Sequence, residues 1–325
     1  MKKMVIAAAF GSAICTIPAL AFDGTIYGNF RGSLNMGDFG NDGSAEFVNN
    51  ASRVGIKGAS QKSESGLQGI YHLQMGANND GDGSALTSRF YFAGLKGSFG
   101  KAIYGRLSTP YKMAGLKQDP FYDTSAGPYN GGSNYGYSSL NNGFTNNSLA
   151  YYSPKFAGGL TFNATASIDD TAEDDHDFGI GAEYTTKMFK VGASHLQLDD
   201  TRVIAAAYGA ENATRIYGSV FLDQITVSAS YELVDFAANS DSTSFYHVNG
   251  SYQLNPQTKL AASYGKVSEG ISSKAWNATG DGFTLGGFYD VLPATTLTVI
   301  YTAVDYDDAA VTDRDGLVFG VIQKF

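Results

Sequence analysis

The sequence predicts an all-β fold, a transmembrane antiparallel β-barrel of 16 strands. Three observations predict it. Apolar and polar residues alternate at strand period from Gly24 to Phe325, no apolar run after Phe22 is long enough for a membrane helix, and Leu317, Phe319, Val321 and Phe325 alternate at the C-terminus. The bias toward 21 tyrosines, 21 phenylalanines and 40 glycines favours strands, interfacial aromatics and tight turns over helices.

Lys2 and Lys3, the largely apolar stretch Met4 to Ile17, and Ala19-Leu20-Ala21 have the form of a secretory signal peptide over residues 1–21, leaving a barrel of residues 22–325. A lipid-modified cysteine is the alternative use of Cys15, but Ile14 stands where a small residue is required. Cys15 is the only cysteine, so the mature chain has no disulfide and no thiolate metal site. Removing Lys2 and Lys3 from 22 basic residues set against 31 acidic ones moves the net charge from −9 to about −11, which argues against nucleic acid as a partner.

The strands follow in order. In Leu160-Thr161-Phe162-Asn163-Ala164-Thr165-Ala166-Ser167 one face is apolar and the other carries hydroxyls and an amide. Ile225 to Leu233 repeats the scheme, as does Leu297 to Ala303 apart from Ile300. A soluble β-sandwich alternates too, so the distinction rests on strand number, on length, on the C-terminus, and on aromatics at strand ends such as Tyr231, Tyr252, Tyr264 and Tyr289.

Proline, which cannot donate to a ladder, is confined to one irregular segment (Pro110, Pro120, Pro128) and to short turns (Pro154, Pro256, Pro293). Short connections near Gln61–Ser65, Ser98–Gly100, Pro154–Gly158 and Asn255–Gln257 alternate with longer acidic ones, the asymmetry of periplasmic turns and external loops. Sixteen or 17 candidate strands can be counted, with the ambiguity in Thr201–Leu233; a single-chain bacterial barrel takes the even number.

Several segments carry a resemblance. They are Thr25-Ile26-Tyr27-Gly28-Asn29-Phe30; Ser52 to Gly58 followed by Ser65 to Tyr71; Arg89 with Gly94 to Gly100 and Tyr104 to Pro110; and Asn147 to Gly158. In spacing and order these resemble the general bacterial porin family of trimeric, 16-stranded outer-membrane barrels. The resemblance implies passive diffusion of ions and small hydrophilic solutes through a charge-lined aqueous pore, without enzymatic activity or cofactor. It implies location in the Gram-negative outer membrane after signal-peptide cleavage. It also implies a homotrimer in contact with the lipid bilayer and lipopolysaccharide, and a terminal Phe325 that resembles the signal read by the outer-membrane assembly machinery.

Some positions depart from the family pattern. Ser60, Gln61 and Lys62 stand where members often carry an acidic pair, Gln74 stands where they commonly have Glu, and Thr145-Asn146 lacks an arginine. The sign of ion selectivity is left open.

Residues 111–146 lack a strand pattern and exceed ordinary connections in length. By resemblance this is the third loop, folded into the lumen as an inner constriction. Its carboxylates are Asp119 and Asp123. If apolar side chains face lipid, Arg31 lies on the lumen face with Tyr27, Asn29 and Ser33, and Arg53 shares that face with Lys57. Outward charge at membrane depth would cost ~2–4 kcal/mol. Arg89 and Arg106 join the lining by resemblance, with a turn or bulge near each leaving its direction open. A positive wall opposite a negative loop sets a transverse field across a narrow gap.

Asp169-Asp170, Glu173 to Asp177, and Asp305, Asp307 and Asp308 are read as external loops; no spacing matches a calcium loop, so a solvated surface is favoured over a bridge to lipopolysaccharide. His72, His176, His195 and His247 are isolated, without zinc-ligand spacing or a nucleophile motif. The alternatives are an outer-membrane barrel enzyme, a non-conducting structural or adhesive barrel, and a secreted soluble β-solenoid or lectin-like binder.

Overall fold

The structure is a computed structural model that describes residues 23–39, 43–81, 84–128, 135–141, 144–168, 176–198, 209–236, 242–269 and 278–325. The expected signal peptide lies outside the described residues, as do 169–175 and 201–208.

Seventeen strand segments follow one another. They are β1 (Gly24–Asp38), β2 (Glu46–Asn49), β3 (Arg53–Ala59), β4 (Gln68–Ala77), β5 (Leu86–Gly97), β6 (Gly100–Leu107), β7 (Thr145–Tyr152), β8 (Leu160–Ile168) and β9 (His176–Thr185). The second half comprises β10 (Phe189–Gln197), β11 (Ala210–Leu222), β12 (Ile225–Phe236), β13 (Thr243–Asn255), β14 (Thr258–Ser268), β15 (Gly280–Leu292), β16 (Thr295–Tyr306) and β17 (Arg314–Lys324). β2 pairs with Gly32–Asn35 of β1 and β3 with Gly24–Asn29 of the same strand, so β2 and β3 form one interrupted stave. The result is the expected closed barrel of 16 antiparallel staves.

Closure follows from the ladder between β1 and β17, which runs from Asn29 opposite Lys324 to Asp38 opposite Asp315. It leaves no sheet edge exposed, as a membrane without water to satisfy backbone groups requires. The Gly28 N–H donates to the Phe325 carbonyl (3.0 Å) and the Phe325 N–H to the Gly28 carbonyl (3.1 Å), so the terminal residue itself seals the ring.

The faces are inverted relative to a soluble protein. On β11, Ile216 is 56% exposed and Leu222 53%, while Arg215 and Ser219 on the opposite face are buried. Phe30, Tyr104, Ile180, Tyr264, Tyr289 and Phe319 are likewise exposed, and Ser33, Asn35, Ser228, Asn249 and Thr302 are buried. Side chains one apart on a strand point to opposite faces, so the alternation read from the sequence becomes an apolar exterior around a polar interior.

Four boundaries differ from the sequence reading. The segment 111–146 is not wholly irregular: Pro110–Leu116 form helix α1, capped by Thr109, whose Oγ1 accepts the Lys112 N–H at 3.1 Å, and Ser139–Asn141 form a 3₁₀ turn. Thr145 and Asn146 belong to β7. Asp177 belongs to β9 opposite Ser167, and Asp305 to β16 opposite Asp281, so neither lies in a loop. In the three strand cases ladder pairing extends the strand beyond the point where its apolar alternation stops. From Ala210 onward the ambiguous stretch holds two strands, β11 and β12.

Short turns such as Asp223-Gln224 and Pro293-Ala294 gather at one end with both ends of the barrel chain. The long connections leave from the other end.

Candidate functional site: an inner loop against an arginine wall

Three β-bulges lie near one level of the wall. Between the pairs Asn29–Arg53 and Gly32–Asn49, three residues of the interrupted stave, Asn50 to Ser52, oppose two of β1, with Ala51 at φ 59°. Between Gln74–Phe90 and Met75–Ser88, Arg89 is one residue too many. Between Gly105–Ser148 and Leu107–Thr145, Asn146 and Asn147 oppose Arg106 alone. A bulge leaves one residue outside the ladder and re-aims its side chain.

The second bulge changes the direction that regular pleating would give Arg89. Regular pleating from Tyr91 and Leu95, both outward and exposed, would send Arg89 into lipid. As the extra residue it turns inward, where Nε donates to Gln74 Oε1 at 2.8 Å. Gln74 Nε2 in turn donates to the Tyr27 hydroxyl at 2.6 Å. Arg106 donates from Nε to the Arg89 carbonyl (2.8 Å) and from Nη1 to Asn146 Oδ1 (2.6 Å).

The first bulge fixes Arg31 and Arg53. The Arg31 N–H donates to Ser52 Oγ (2.8 Å), Ser52 Oγ donates to the Arg31 carbonyl (3.1 Å), and that carbonyl also accepts the Asn50 N–H (2.9 Å). Side chains thus replace the ladder bonds that the bulge interrupts.

Opposite stands the tip of the loop. Asp123 takes the left-handed conformation, φ 54°, and receives both wall arginines: Arg53 Nη2 is hydrogen-bonded to Oδ2, and Arg31 Nη1 lies 3.7 Å from the same oxygen. Arg31 Nη2 also donates to the Tyr122 carbonyl at 3.3 Å. Ser125 stitches the tip to the wall, donating to Asn50 Oδ1 at 2.8 Å and meeting Ser33 Oγ at 3.2 Å.

Asp119 does not face the arginines. It is buried, with Oδ1 accepting the Phe121 N–H at 3.0 Å and Oδ2 without a hydrogen-bond partner, and burial raises its carboxyl to about 7. Lys57 lies on β3 toward the short turns, its Nζ 5.1 Å from the Tyr27 ring centre, away from Asp123.

One cation was not foreseen. Lys112, on α1, places Nζ 4.3 Å from the centre of the Phe144 ring, which Arg89 (5.1 Å) and Arg106 (5.3 Å) also approach. Burial, with Arg89 nearby, lowers its ammonium to about 7.

The far side of the loop is bound to the opposite wall. Glu232 of β12 accepts from the Tyr111 hydroxyl (2.7 Å), from Ser138 Oγ (2.6 Å) and from the Ser138 N–H (3.0 Å), so one carboxylate ties both ends of the loop. Arg215 pairs with it at 2.9 Å and donates to the Tyr111 carbonyl (2.8 Å) and Asn141 Oδ1 (2.6 Å). Phe121 packs on Phe288, and the Tyr135 hydroxyl bonds Thr284. Glu232 sat in view on the polar face of Ile225–Leu233. The signal that could have identified the anchor was a second charge, Arg215, at lumen parity on the neighbouring strand.

The described residues between β6 and β7 thus contact two parts of the wall: Asp123 meets Arg31 and Arg53, and Tyr111 and Ser138 meet Glu232. The sequence model of the family described as Gram-negative porin matches residues 5–309. The chain belongs to that family.

Similar solved structures share the barrel fold. The porin is 24% identical over 346 residues to a major outer membrane protein P.IB of Neisseria sicca, covering 92% of each chain, and 24% identical over 244 residues to that of Neisseria gonorrhoeae, covering 70% of this chain and 67% of the other. Among solved structures it superposes on an anion-selective porin from Comamonas acidovorans with a TM-score of 0.76 at 18% identity, covering 93% of this chain and 99% of that one. For OmpF of Salmonella typhi in complex with daunomycin the TM-score is 0.73 at 17% identity, with 93% and 97% covered. For the trimer form of OmpT of Vibrio cholerae it is 0.66 at 18% identity, with 93% and 99% covered. The porin is accordingly an outer-membrane protein.

Proposed function

We propose that this outer-membrane porin is a non-enzymatic, anion-preferring diffusion channel for small hydrophilic solutes. The observation that carries the reading is the charge balance at the loop tip. Arg31 and Arg53 meet one carboxylate, Asp123, while Arg89 and Arg106 approach Phe144 beside them with no carboxylate partner among the described residues, and Asp119 is buried with its hydrogen bond made to the Phe121 N–H. The excess positive charge, in a narrow low-dielectric gap, concentrates anions and repels cations. Arg89 and Arg106 are held by neutral acceptors, so their charge remains available to a passing solute. The similarity to an anion-selective porin agrees in fold with this reading.

In this reading the short turns lie in the periplasm and the long loops outside. The exposed apolar band meets lipid and lipopolysaccharide, three copies associate as in the trimer form of the OmpT relative, and Phe325 presents the assembly signal. The histidines serve the wall: His72 is bonded to the Tyr27 hydroxyl at 2.5 Å, His195 to Thr214 at 2.8 Å, and His247 lies 4.4 Å from the Tyr137 ring.

Swelling of proteoliposomes in size-matched solutes tests the proposal. Anionic solutes should enter faster than neutral ones and neutral ones faster than cationic ones. Equal rates for all three, or no swelling, would refute it.

A further inference from the structure

Below the loop tip, toward the short turns, lies a chamber of about 490 Å³ whose lining includes Arg31, Arg53, Pro120, Tyr122, Lys259 and Lys324. That volume suits an organic ligand far larger than chloride. Its cations outnumber its acids: four basic residues line it with one carboxylate, Asp290, which accepts from Thr296 Oγ1 at 2.6 Å, and Asp123 beside it is already shared by two arginines.

Tyr122 is the second element. Its backbone carbonyl is pinned by Arg31, yet 38% of its surface is exposed, and the Arg31 guanidinium lies 5.7 Å from its ring centre. The ring joins neither of the two buried apolar clusters in which loop residues pack on the wall. Across the chamber, Lys259 Nζ lies 4.2 Å over Phe288, the ring that backs Phe121 of the loop. A wetted aromatic ring bordered by cations is matched by a ligand with a flat apolar body and an anionic group. An inorganic anion would leave the ring in water, and an organic cation would meet excess positive charge.

We propose that this chamber is a binding station for aromatic carboxylates, the carboxylate held between Arg31 and Lys259 and the ring seated on Tyr122 and Pro120. The proposal rests on the anion-preferring reading of the pore. Occupancy narrows the path below the constriction, so such solutes cross with saturable flux and impede the chloride current while bound.

Single-channel recording of the purified full-length mature porin in potassium chloride tests this, with 2-naphthoate as probe and acetate as control on the short-turn side. The current should fall saturably, with half-block at about 1 mM naphthoate, and should not fall with tenfold more acetate. Tyr122→Ala and Lys259→Gln should each raise the half-blocking concentration at least about fivefold, while Tyr122→Phe leaves it unchanged. Equal effects of naphthoate and acetate, or an unshifted half-block in Tyr122→Ala channels of normal conductance, would overturn the station. A cation-preferring reversal potential without naphthoate would instead overturn the underlying reading, so the two failures are distinguishable.

Discussion

Arg215 on β11 and Glu232 on β12 stand opposite each other in the ladder, and their side chains meet at 2.9 Å with almost no exposure to solvent. The pair is buried beneath the inner loop and spends its remaining hydrogen bonds on Tyr111, Ser138 and Asn141. It fixes both ends of the loop to a wall opposite the arginines.

Removing one partner strands the other charge away from water. Glu232→Ala should lower unfolding stability by about 3–5 kcal/mol, read as a fall in the temperature at which the folded barrel converts on a denaturing gel. Arg215→Met combined with Glu232→Leu should cost less than the two single changes added together, by at least about 1 kcal/mol. Strict additivity would show that the pair does not act as a unit.

At the loop tip, Asp123 is the sole carboxylate bound to the wall arginines among the described residues, in a left-handed conformation that Asn also tolerates. Asp123→Asn should preserve the turn and release Arg31 and Arg53. The chloride-to-potassium permeability ratio should rise about twofold or more, measured as reversal potential. A fall would mean that Asp123 stabilises the arginines rather than offsetting them.

Two loop groups titrate near neutrality, and both shift the balance in one direction. The Lys112 ammonium, lowered to about 7 by burial, is charged below that pH and neutral above it. The Asp119 carboxyl, raised to about 7 by burial, is neutral below and charged above. Raising pH from 6 to 8 therefore removes a positive charge and adds a negative one, and anion preference should decline. Recording the permeability ratio across that interval in wild type and in Lys112→Met checks this; the variant should respond less.

Gln74 is the neutral link between Arg89 and Tyr27. Gln74→Glu should give Arg89 a carboxylate partner within the existing geometry and lower the chloride-to-potassium ratio, about twofold, with little loss of stability. An unchanged ratio would place Arg89 outside the ion path.

Much of the fold was legible because a lipid exterior and a wet interior impose period-two alternation on every stave. Parity alone puts Arg31 and Arg53 on the strand face from which both meet Asp123. Parity fails at a bulge, which is why Arg89 and Arg106 could not be aimed from the sequence. Nor could Lys112, which belongs to a one-face turn of helix inside a Gly- and Tyr-rich loop. Asp119 and Asp123 looked equivalent along the chain, yet one is buried beside Phe121 and the other meets two arginines, a difference set by the loop's tertiary path. The Arg215–Glu232 anchor depends on register between adjacent strands, which alternation within one strand does not specify.

Reversal potential across a tenfold potassium chloride gradient, recorded for the wild-type porin and for Arg53→Gln with Lys57→Gln, is the most direct measurement. Wild type should favour chloride, and the double variant should move clearly toward potassium. A wild-type channel that favours potassium, or a double variant with an unmoved potential, would contradict a pore governed by its arginine wall.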